Sequence, residues 1–238
     1  MTLRAVVLDI EGTTSSTGFV HDTLYPYSRE RFTSWIADHA TEPEVQVQLA
    51  ATRELAQEPD ASLDRAVWWL NHWLDRDQKI TPLKAFQGWI WAEGFAAGEL
   101  VSHFFDDAIP AIRRWHAAGL TLYIFSSGSV SAQRAWFGNT PEGDLLPLFT
   151  DHFDTENTGP KREADSYRAI TDRIGVAAGE TVFLSDLVAE LDAAREAGWH
   201  TVGVRRPGDQ YYEQGVGDHL AIHSFDEIDL AGDAPVRR

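Results

Sequence analysis

The chain begins with a short hydrophobic segment that runs directly into two carboxylates. Residues 5–8 read Ala-Val-Val-Leu, and the sequence continues as Asp9-Ile-Glu11-Gly-Thr-Thr. Side chains two positions apart on an extended chain share a face, so both acids are expected to point the same way. A hydrophobic strand that stops at two acids and two hydroxyls indicates the ligand-binding edge of an α/β sheet.

These two acids suit phosphoryl transfer. One carboxylate can attack phosphorus, while the other, together with a divalent cation, offsets the crowded negative charge. Asp and Gly also end ordinary strands, so a plain turn is the alternative interpretation. The other loops of the chain decide between the two.

The length and composition indicate a globular protein outside the membrane. With 238 residues, 43% of them hydrophobic, the chain can bury the core of one large domain, or of a domain with an insertion. Its apolar runs are far shorter than the roughly 20 residues that cross a bilayer. No secretory leader opens the chain, and it contains no cysteine. We therefore predict a cytoplasmic protein that does not bind membranes.

The negative charge limits the possible partners. The chain carries 20 Lys and Arg residues against 37 Asp and Glu residues, a formal net charge of −17. Most of the surface should repel nucleic acids and anionic lipids, so no nucleic-acid partner is expected. A small anionic substrate stays possible where a few cationic side chains or a metal ion reverse the local field.

Hydrophobic segments and helical stretches alternate along most of the chain. Strands are predicted at residues 3–10, 120–125, 181–184, 201–204 and 220–223. This alternation is typical of an α/β protein with a parallel sheet. The tail, residues 231–238, is expected to fray.

One long interval, residues 19–100, interrupts the alternation. Amphipathic helices with no strand among them are predicted at residues 29–39, 44–56, 63–74 and 82–95. We therefore predict a core domain made of residues 1–18 and 101–238, with an all-helical insertion between them. Large aromatic side chains are expected to form the core of this insertion rather than to stack on a ligand. They are Trp68, Trp69, Trp73, Trp89 and Trp91.

A loop after the second predicted strand could bind phosphate. It reads Ser126-Ser127-Gly-Ser-Val and lies where a helix is predicted to begin. Hydroxyls and N–H groups at the start of a helix attract anions. We therefore predict phosphate contact by Ser126 and Ser127, in addition to ordinary helix capping by the later serines.

A lysine after a constrained turn could complete the phosphate site. Gly159 and Pro160 restrict the backbone just before Lys161, which favours a side chain that points inward. Such a lysine would bind both the attacking carboxylate and a phosphate oxygen as a point charge. Arg162 is the competitor for this role.

A third loop supplies another acid. The hydrophobic segment Thr-Val-Phe-Leu-Ser ends at Asp186, which a strand end could bring to the same cation as Asp9 and Glu11. Mg²⁺ fits these three residues best, because it takes hard oxygen ligands, whereas zinc prefers nitrogen or sulfur ligands. Glu190 and Asp192 follow on a helix and are expected to lie outside the ligand set.

Taken in order, these four loops resemble those of haloacid dehalogenase superfamily phosphatases, in which the first Asp is the nucleophile. Longer segments narrow the resemblance to the enolase-phosphatase E1 family of methionine salvage. Most superfamily phosphatases carry Asp at the position of Glu11, whereas the enolase-phosphatases carry Glu there as a metal ligand. The segments are Asp9-Ile-Glu-Gly-Thr-Thr14, Phe19-Val-x-Asp-x-Leu-Tyr-Pro-Tyr27, Leu83-Lys-x-Phe-Gln-Gly-x-Ile-Trp91 and Lys161-Arg-Glu-x-x-Ser-Tyr167.

The resemblance implies a fold and an activity. The fold would be a three-layer, Rossmann-like α/β core with a mainly parallel sheet and a helical cap inserted after the first strand. The enzyme would enolise 2,3-diketo-5-methylthiopentyl-1-phosphate and then hydrolyse its phosphate to give 1,2-dihydroxy-3-keto-5-methylthiopentene. It would use one Mg²⁺ ion per chain, and a monomer is expected.

The resemblance also implies roles for the site residues. Asp9 would be the nucleophile and a magnesium ligand, and Glu11 and Asp186 would be the other two ligands. The substrate phosphate would be bound by Ser126, Ser127 and Lys161.

Several alternatives stay open. The enolisation base could be Glu11, or it could come from polar groups at Asp22, Tyr25 and Tyr27. A general sugar- or glycolate-phosphate phosphatase would use the same loops on other substrates. A hydrolytic dehalogenase also uses a nucleophilic Asp but needs no magnesium, so Glu11 and Asp186 argue against it. A non-catalytic protein that binds magnesium or phosphate would keep the same site residues and turn nothing over.

Overall fold

The computed structural model describes residues 2–238. The chain divides into two compact units, which we call the sheet unit and the helical unit. The sheet unit contains the segment that ends at Phe19 together with Ser102–Arg238, and the helical unit contains Val20–Val101. The action of the helical unit as a cap stays a prediction.

The sheet unit begins with a buried strand and a tight loop. Strand β1, Ala5–Leu8, is fully buried, as is typical of a central parallel strand covered on both faces. In the loop that follows, the N–H groups of residues 13–15 point to the carbonyl oxygen of Ile10 at 2.9–3.2 Å. Gly12 permits this turn with φ at +71°. A short helical turn, α1 (Thr17–Phe19), ends the segment.

The helical unit contains no strand. After a π-helical turn at Val20–Leu24, its helices are α2 (Tyr25–Asp38), α3 (Pro43–Leu55), α4 (Leu63–Leu74) and α5 (Thr81–Ala96). Proline lies in the first turn of α2, α3 and α5, where its missing N–H costs no hydrogen bond. Among residues 2–238, no helix combines the length and the apolar character that a membrane crossing requires.

The helices of this unit enclose their own hydrophobic core. Phe32 and Leu70 are fully buried in it, and Trp73 is 6% exposed. Trp68 differs, because its side chain is on the surface and the residue is 45% exposed. The guanidinium of Arg65 lies 4.2 Å from the centre of its ring. The prediction that all five tryptophans form the core was therefore wrong for Trp68.

The sheet unit continues with alternating helices and strands. In order they are α6 (Ala108–Ala117), β2 (Thr121–Phe125), α7 (Val130–Gly138), β3 (Phe149–Phe153), α8 (Ala164–Ile174), β4 (Thr181–Ser185), α9 (Val188–Glu196), β5 (His200–Val204) and β6 (Leu220–Ile222). Six strands form one sheet in the order β3-β2-β1-β4-β5-β6, and each neighbouring pair is parallel. The predicted α/β fold is confirmed.

Both faces of this sheet are buried. On one face, Val7 and Phe183 pack with Tyr167 of α8 and Leu191 of α9. Val6 points to the opposite face by strand alternation and is equally buried. The sheet is therefore the middle layer of a three-layer core.

Two elements differ from the expectation. Edge strand β3 was not predicted, because its five residues include Thr, Asp and His and lack a hydrophobic run. The tail was predicted to fray, and this was wrong. Strand β7 (Ile228–Asp229) pairs antiparallel with β8 (Val236–Arg237), and Arg238 N donates to the carbonyl oxygen of Glu227 at 2.7 Å. Backbone pairing orders the tail although its side chains are exposed.

Candidate active site

The carboxyl ends of three neighbouring strands bring the predicted site residues to one edge of the sheet. Asp9 follows β1, Ser126 follows β2 and Asp186 follows β4, each by a single position. Strand β1 lies between β2 and β4 and pairs in parallel with both. Three loops with polar side chains therefore start side by side, as the sequence pattern predicts.

Asp9 is held at this edge by its loop and by a lysine. Its side chain is 4% exposed, and Oδ1 accepts a 2.6 Å hydrogen bond from Lys161 Nζ. The Thr13 hydroxyl donates to Oδ2 at 3.4 Å, and the Thr14 hydroxyl donates to the carbonyl oxygen of Asp9 at 3.2 Å. The two threonines of the first motif thus orient the aspartate.

Lys161 points inward, as predicted from the turn before it. Gly159 adopts φ at +108°, and the Tyr167 hydroxyl donates to the Lys161 carbonyl oxygen at 2.7 Å. The ammonium lies between two carboxylates, 2.6 Å from Asp9 Oδ1 and 2.6 Å from Glu190 Oε2. Burial alone would lower the pKa of Lys161, but the two carboxylates outweigh burial and raise this pKa above its usual range. The lysine is therefore a fixed positive charge.

Glu190, predicted to lie outside the ligand set, contacts the site through Lys161. It is 5% exposed, and its Oε2 accepts hydrogen bonds from Lys161 and, at 2.9 Å, from the Ser185 hydroxyl. Burial raises the pKa of this carboxyl, and the charge of Asp9 raises it further against the opposing effect of Lys161. The sequence signal was its place in the first turn of α9, one helical turn after Asp186.

Asp186 packs directly against the first loop. A Cβ atom on Gly12 would lie only 2.1 Å from Asp186 Oδ2, so only a glycine allows this close approach. Burial raises the pKa of Asp186, and the negative charge of Asp9 raises it further.

The donor set of this cluster suits a divalent cation. Asp9, Asp186 and Glu190 are buried acids, and Asp9 and Glu190 share the ammonium of Lys161, so a cation would compensate the excess negative charge. Carboxylate oxygens are the ligands that Mg²⁺ prefers. Within residues 2–238, no three His, Asp or Glu side chains are already arranged around a metal position. Glu11, which is half-buried and forms a β-bridge with Ser15, is therefore a predicted ligand only.

The serine loop lies at the same edge. Ser126 is 2% exposed, and its N–H donates to the carbonyl oxygen of Phe153 at 3.2 Å. Ser127 is half-buried. Helix α7 begins immediately after, with Ser129 as its N-cap accepting from Ala132 N at 3.3 Å. The hydroxyls and the positive end of the helix are therefore close together, as a phosphate site needs.

Comparison with known proteins identifies the family. A family model for haloacid dehalogenase-like hydrolases matches residues 3–198. Enolase-phosphatase E1 of Streptomyces avermitilis is 61% identical over 229 residues, which cover 96% of each chain. The chain belongs to the enolase-phosphatase E1 family. The resemblance and the hydrolase class expected from the sequence are thereby confirmed.

Other relatives extend this family assignment. Enolase-phosphatase E1 of Pseudomonas aeruginosa strain UCBPP-PA14 is 48% identical over 228 residues, covering 96% of this chain and 99% of its own. Among solved structures, the UTR4 protein of Saccharomyces cerevisiae is similar with a TM-score of 0.77 and 30% identity. That match covers 94% of this chain and 99% of the yeast chain. The similarity to enolase-phosphatases thus includes both the sheet unit and the helical unit.

In this member of the enolase-phosphatase family, a buried ion pair is hydrogen-bonded to the loop that follows β1. Arg206 is 4% exposed, and its Nε donates to the carbonyl oxygen of Thr13 at 2.9 Å. Its Nη1 donates to both carboxylate oxygens of Asp107, at 2.9 and 2.8 Å. Asp107 also accepts a hydrogen bond from the Ser224 hydroxyl at 2.8 Å. This pair cannot be recognised from the sequence, because its members are 99 positions apart.

Replacing Asp107 by alanine should destabilise the protein by about 3–5 kcal/mol, because it leaves a buried guanidinium without its partner. Chemical denaturation of the wild-type protein and the variant measures the difference in the free energy of unfolding. Asp226→Ala is the matched control, because the Asp226 side chain is 67% exposed and pairs with Arg114 on the surface. It should cost less than about 1 kcal/mol. Equal losses in the two variants would contradict the role assigned to the buried pair.

Proposed function

We propose that this protein enolises 2,3-diketo-5-methylthiopentyl-1-phosphate and then hydrolyses its phosphate, giving 1,2-dihydroxy-3-keto-5-methylthiopentene in methionine salvage. The observation that carries the proposal is the buried Asp9 carboxylate, held 2.6 Å from the Lys161 ammonium at the carboxyl edge of the sheet. The 61% identity to a named enolase-phosphatase supports the choice of substrate.

In the phosphoryl step, a carboxylate oxygen of Asp9 attacks phosphorus, and the bond between phosphorus and the substrate oxygen breaks. Water then hydrolyses the aspartyl phosphate, which restores Asp9 and releases inorganic phosphate. Lys161 holds the carboxylate and offsets the charge of the incoming phosphate. The hydroxyls of Ser126 and Ser127 bind phosphate oxygens and orient the group for attack in line with the leaving oxygen.

The proposed cofactor is one Mg²⁺ ion, for which Asp9, Asp186 and the predicted ligand Glu11 would supply oxygen ligands. When bound, it would offset the negative charge of the phosphate and polarise substrate oxygens. A monomer in the cytoplasm stays a prediction from the sequence. Light scattering on the purified protein measures the oligomeric state.

Enolisation needs a base close to the carbon that loses its proton. Glu11 is one candidate, and the polar groups at Asp22, Tyr25 and Tyr27 are the alternative. The variant Glu11→Gln separates them when enol formation is measured with the diketone and phosphate release is measured with p-nitrophenyl phosphate, which needs no enolisation. Selective loss of enol formation assigns the proton transfer to Glu11, whereas equal loss of both steps restricts Glu11 to holding the metal.

The experiment that tests the proposal mixes the purified protein with the diketone phosphate, with and without magnesium. Enol absorbance and free phosphate are followed in the same sample. We expect magnesium-dependent enol formation followed by phosphate release. Phosphate release from sugar phosphates with none from the diketone would replace the proposal with a general phosphatase. No release from any phosphate ester would indicate a binding protein.

A further inference from the structure

A glutamine side chain lies beneath the serine loop and holds it from the interior. Gln133, on α7, is 1% exposed. Its Nε2 donates to the carbonyl oxygens of Gly128 and Phe153, both at 2.8 Å, and the carbonyl oxygen of Ser126 lies at 3.5 Å. Both N–H groups of the amide therefore have a short hydrogen bond available to them.

These contacts determine how the amide is oriented. Carbonyl oxygens can only accept hydrogen bonds, so the nitrogen of Gln133 must face Gly128 and Phe153. The amide oxygen then faces His152, whose Nδ1 lies 3.2 Å from Oε1. Because an amide oxygen also only accepts, the hydrogen in this contact comes from His152 Nδ1.

His152 is consequently a neutral donor with a defined tautomer. It is 3% exposed, and its Nε2 is buried without a hydrogen-bond partner among residues 2–238. Burial lowers the pKa of this imidazole to about 4, so it is uncharged at neutral pH. His152 and Gln133 thus form a hydrogen-bonded network that ends on the carbonyl groups of Gly128, in the serine loop, and of Phe153, at the end of β3.

The hydrogen bonds from Gln133 determine which way the serine loop presents its N–H groups. Within a planar trans peptide, the carbonyl and the following N–H point in opposite directions. Gln133 draws the Gly128 carbonyl into the interior, so the N–H of Ser129 points away from Gln133. The carbonyl of Phe153, also bound to Gln133, accepts the N–H of Ser126 at 3.2 Å. Both ends of the Ser126–Ser129 loop are therefore held in place by one amide.

We propose that Gln133 is a positioning residue that keeps the Ser126–Ser129 loop in its phosphate-receiving conformation, and that His152 holds the Gln133 amide in the required orientation. The proposal rests on the proposed function in one respect, the reception of a phosphate group by this loop. It is independent of the diketone as substrate and of the enolisation step.

The test measures the affinity for inorganic phosphate by isothermal titration calorimetry in the presence of magnesium. Gln133→Met keeps a side chain of similar length but removes both N–H donors. We expect the dissociation constant for phosphate to rise about 10-fold, the effect of losing hydrogen bonds at a positioned loop. With p-nitrophenyl phosphate, kcat/KM should fall by about 10²-fold, because a loop displaced by about 1 Å misplaces the phosphate.

A second variant tests the hydrogen bond between His152 and Gln133. His152→Phe removes the donor to Gln133 while keeping a planar ring, and we expect a weaker effect in the same direction. It also keeps the test decisive if Gln133→Met does not fold. Asn139→Leu is the matched control at the C-terminal end of the same helix, because the side-chain amide of Asn139 donates to the carbonyl oxygen of Ala135 within that helix, at 2.8 Å. This control should lower the melting temperature without changing the affinity for phosphate.

Three results would overturn the proposal. They are wild-type phosphate affinity in folded Gln133→Met or His152→Phe, an equal loss of phosphate affinity in Asn139→Leu, and a wild-type protein that takes up no phosphate. If the diketone is not turned over but Gln133→Met still weakens phosphate binding, only the proposed substrate is wrong. If the diketone is turned over and neither variant weakens phosphate binding, only the role of Gln133 is wrong.

Discussion

Replacing Asp9 by asparagine should reduce phosphate release by about 10⁴-fold or more, the size of effect seen when an enzyme loses its nucleophile. The amide has nearly the shape of the carboxylate, and its oxygen can still accept the hydrogen bond from Lys161, but it does not attack phosphorus. The variant should bind the substrate and release no phosphate. Free phosphate under single-turnover conditions and substrate affinity by calorimetry are the two measurements.

A control for Asp9→Asn makes the same chemical change at a surface acid. Asp165→Asn is suitable, because the Asp165 side chain is 88% exposed and pairs with Arg168 at the surface. It should release phosphate at the wild-type rate. Thermal unfolding of both variants shows that they are folded. Turnover by Asp9→Asn at the wild-type rate would remove Asp9 from the role of nucleophile.

Replacing Lys161 by methionine should have the second large effect, and it should affect both stability and activity. The substitution keeps the aliphatic chain but leaves Asp9 and Glu190 buried without their common partner. Breaking a buried ion pair from one side costs about 3–5 kcal/mol. Phosphate binding should weaken and phosphate release should fall, because no ammonium remains to offset the approaching charge. Denaturant unfolding and phosphate titration measure the two effects.

A double variant separates these two roles of the lysine. Lys161→Met combined with Glu190→Gln removes one of the uncompensated carboxylates, so part of the lost stability should return. Phosphate release should stay low, because the cation is still missing. The stability deficit of Lys161→Met should also shrink at lower pH, where protonation neutralises the stranded carboxylates. Recovery of phosphate release in the double variant would show that Lys161 has a structural role only.

Much of the fold could be predicted from local patterns. Ala5–Leu8 is apolar at every position and is followed at once by acids, so both a central strand and its functional end can be recognised. The helices of the helical unit carry proline in their first turn or follow a capping serine, and both are local signals. The edge strand β3 escaped prediction because an edge strand tolerates polar residues, and its identity depends on its pairing with β2.

The candidate site was predictable where its residues directly follow a strand, and not where they meet only through folding. Asp9, Ser126 and Asp186 each follow a recognisable strand, and parallel strands necessarily bring their carboxyl ends to one edge. Their catalytic roles stay predictions, as do those of Glu11, Ser127 and Lys161. Glu190 was predicted only to lie outside the ligand set, and its pairing with the lysine was not foreseen, because a glutamate in the first turn of a helix usually faces solvent. Its contact with Lys161 spans 29 positions and exists only after folding.

Residue order alone thus decided the helices and the buried central strands, and which acids, hydroxyls and lysine stand at their ends. These properties depend on apolar periodicity and on helix capping, which act over a few neighbouring residues, and they can be recognised in short motifs that the family shares. Folding decided which distant groups share a charge or a hydrogen bond. Lys161 between Asp9 and Glu190, Arg206 under Thr13, and Gln133 under the serine loop all depend on burial, because a polar group left unpaired in a low-dielectric interior costs free energy.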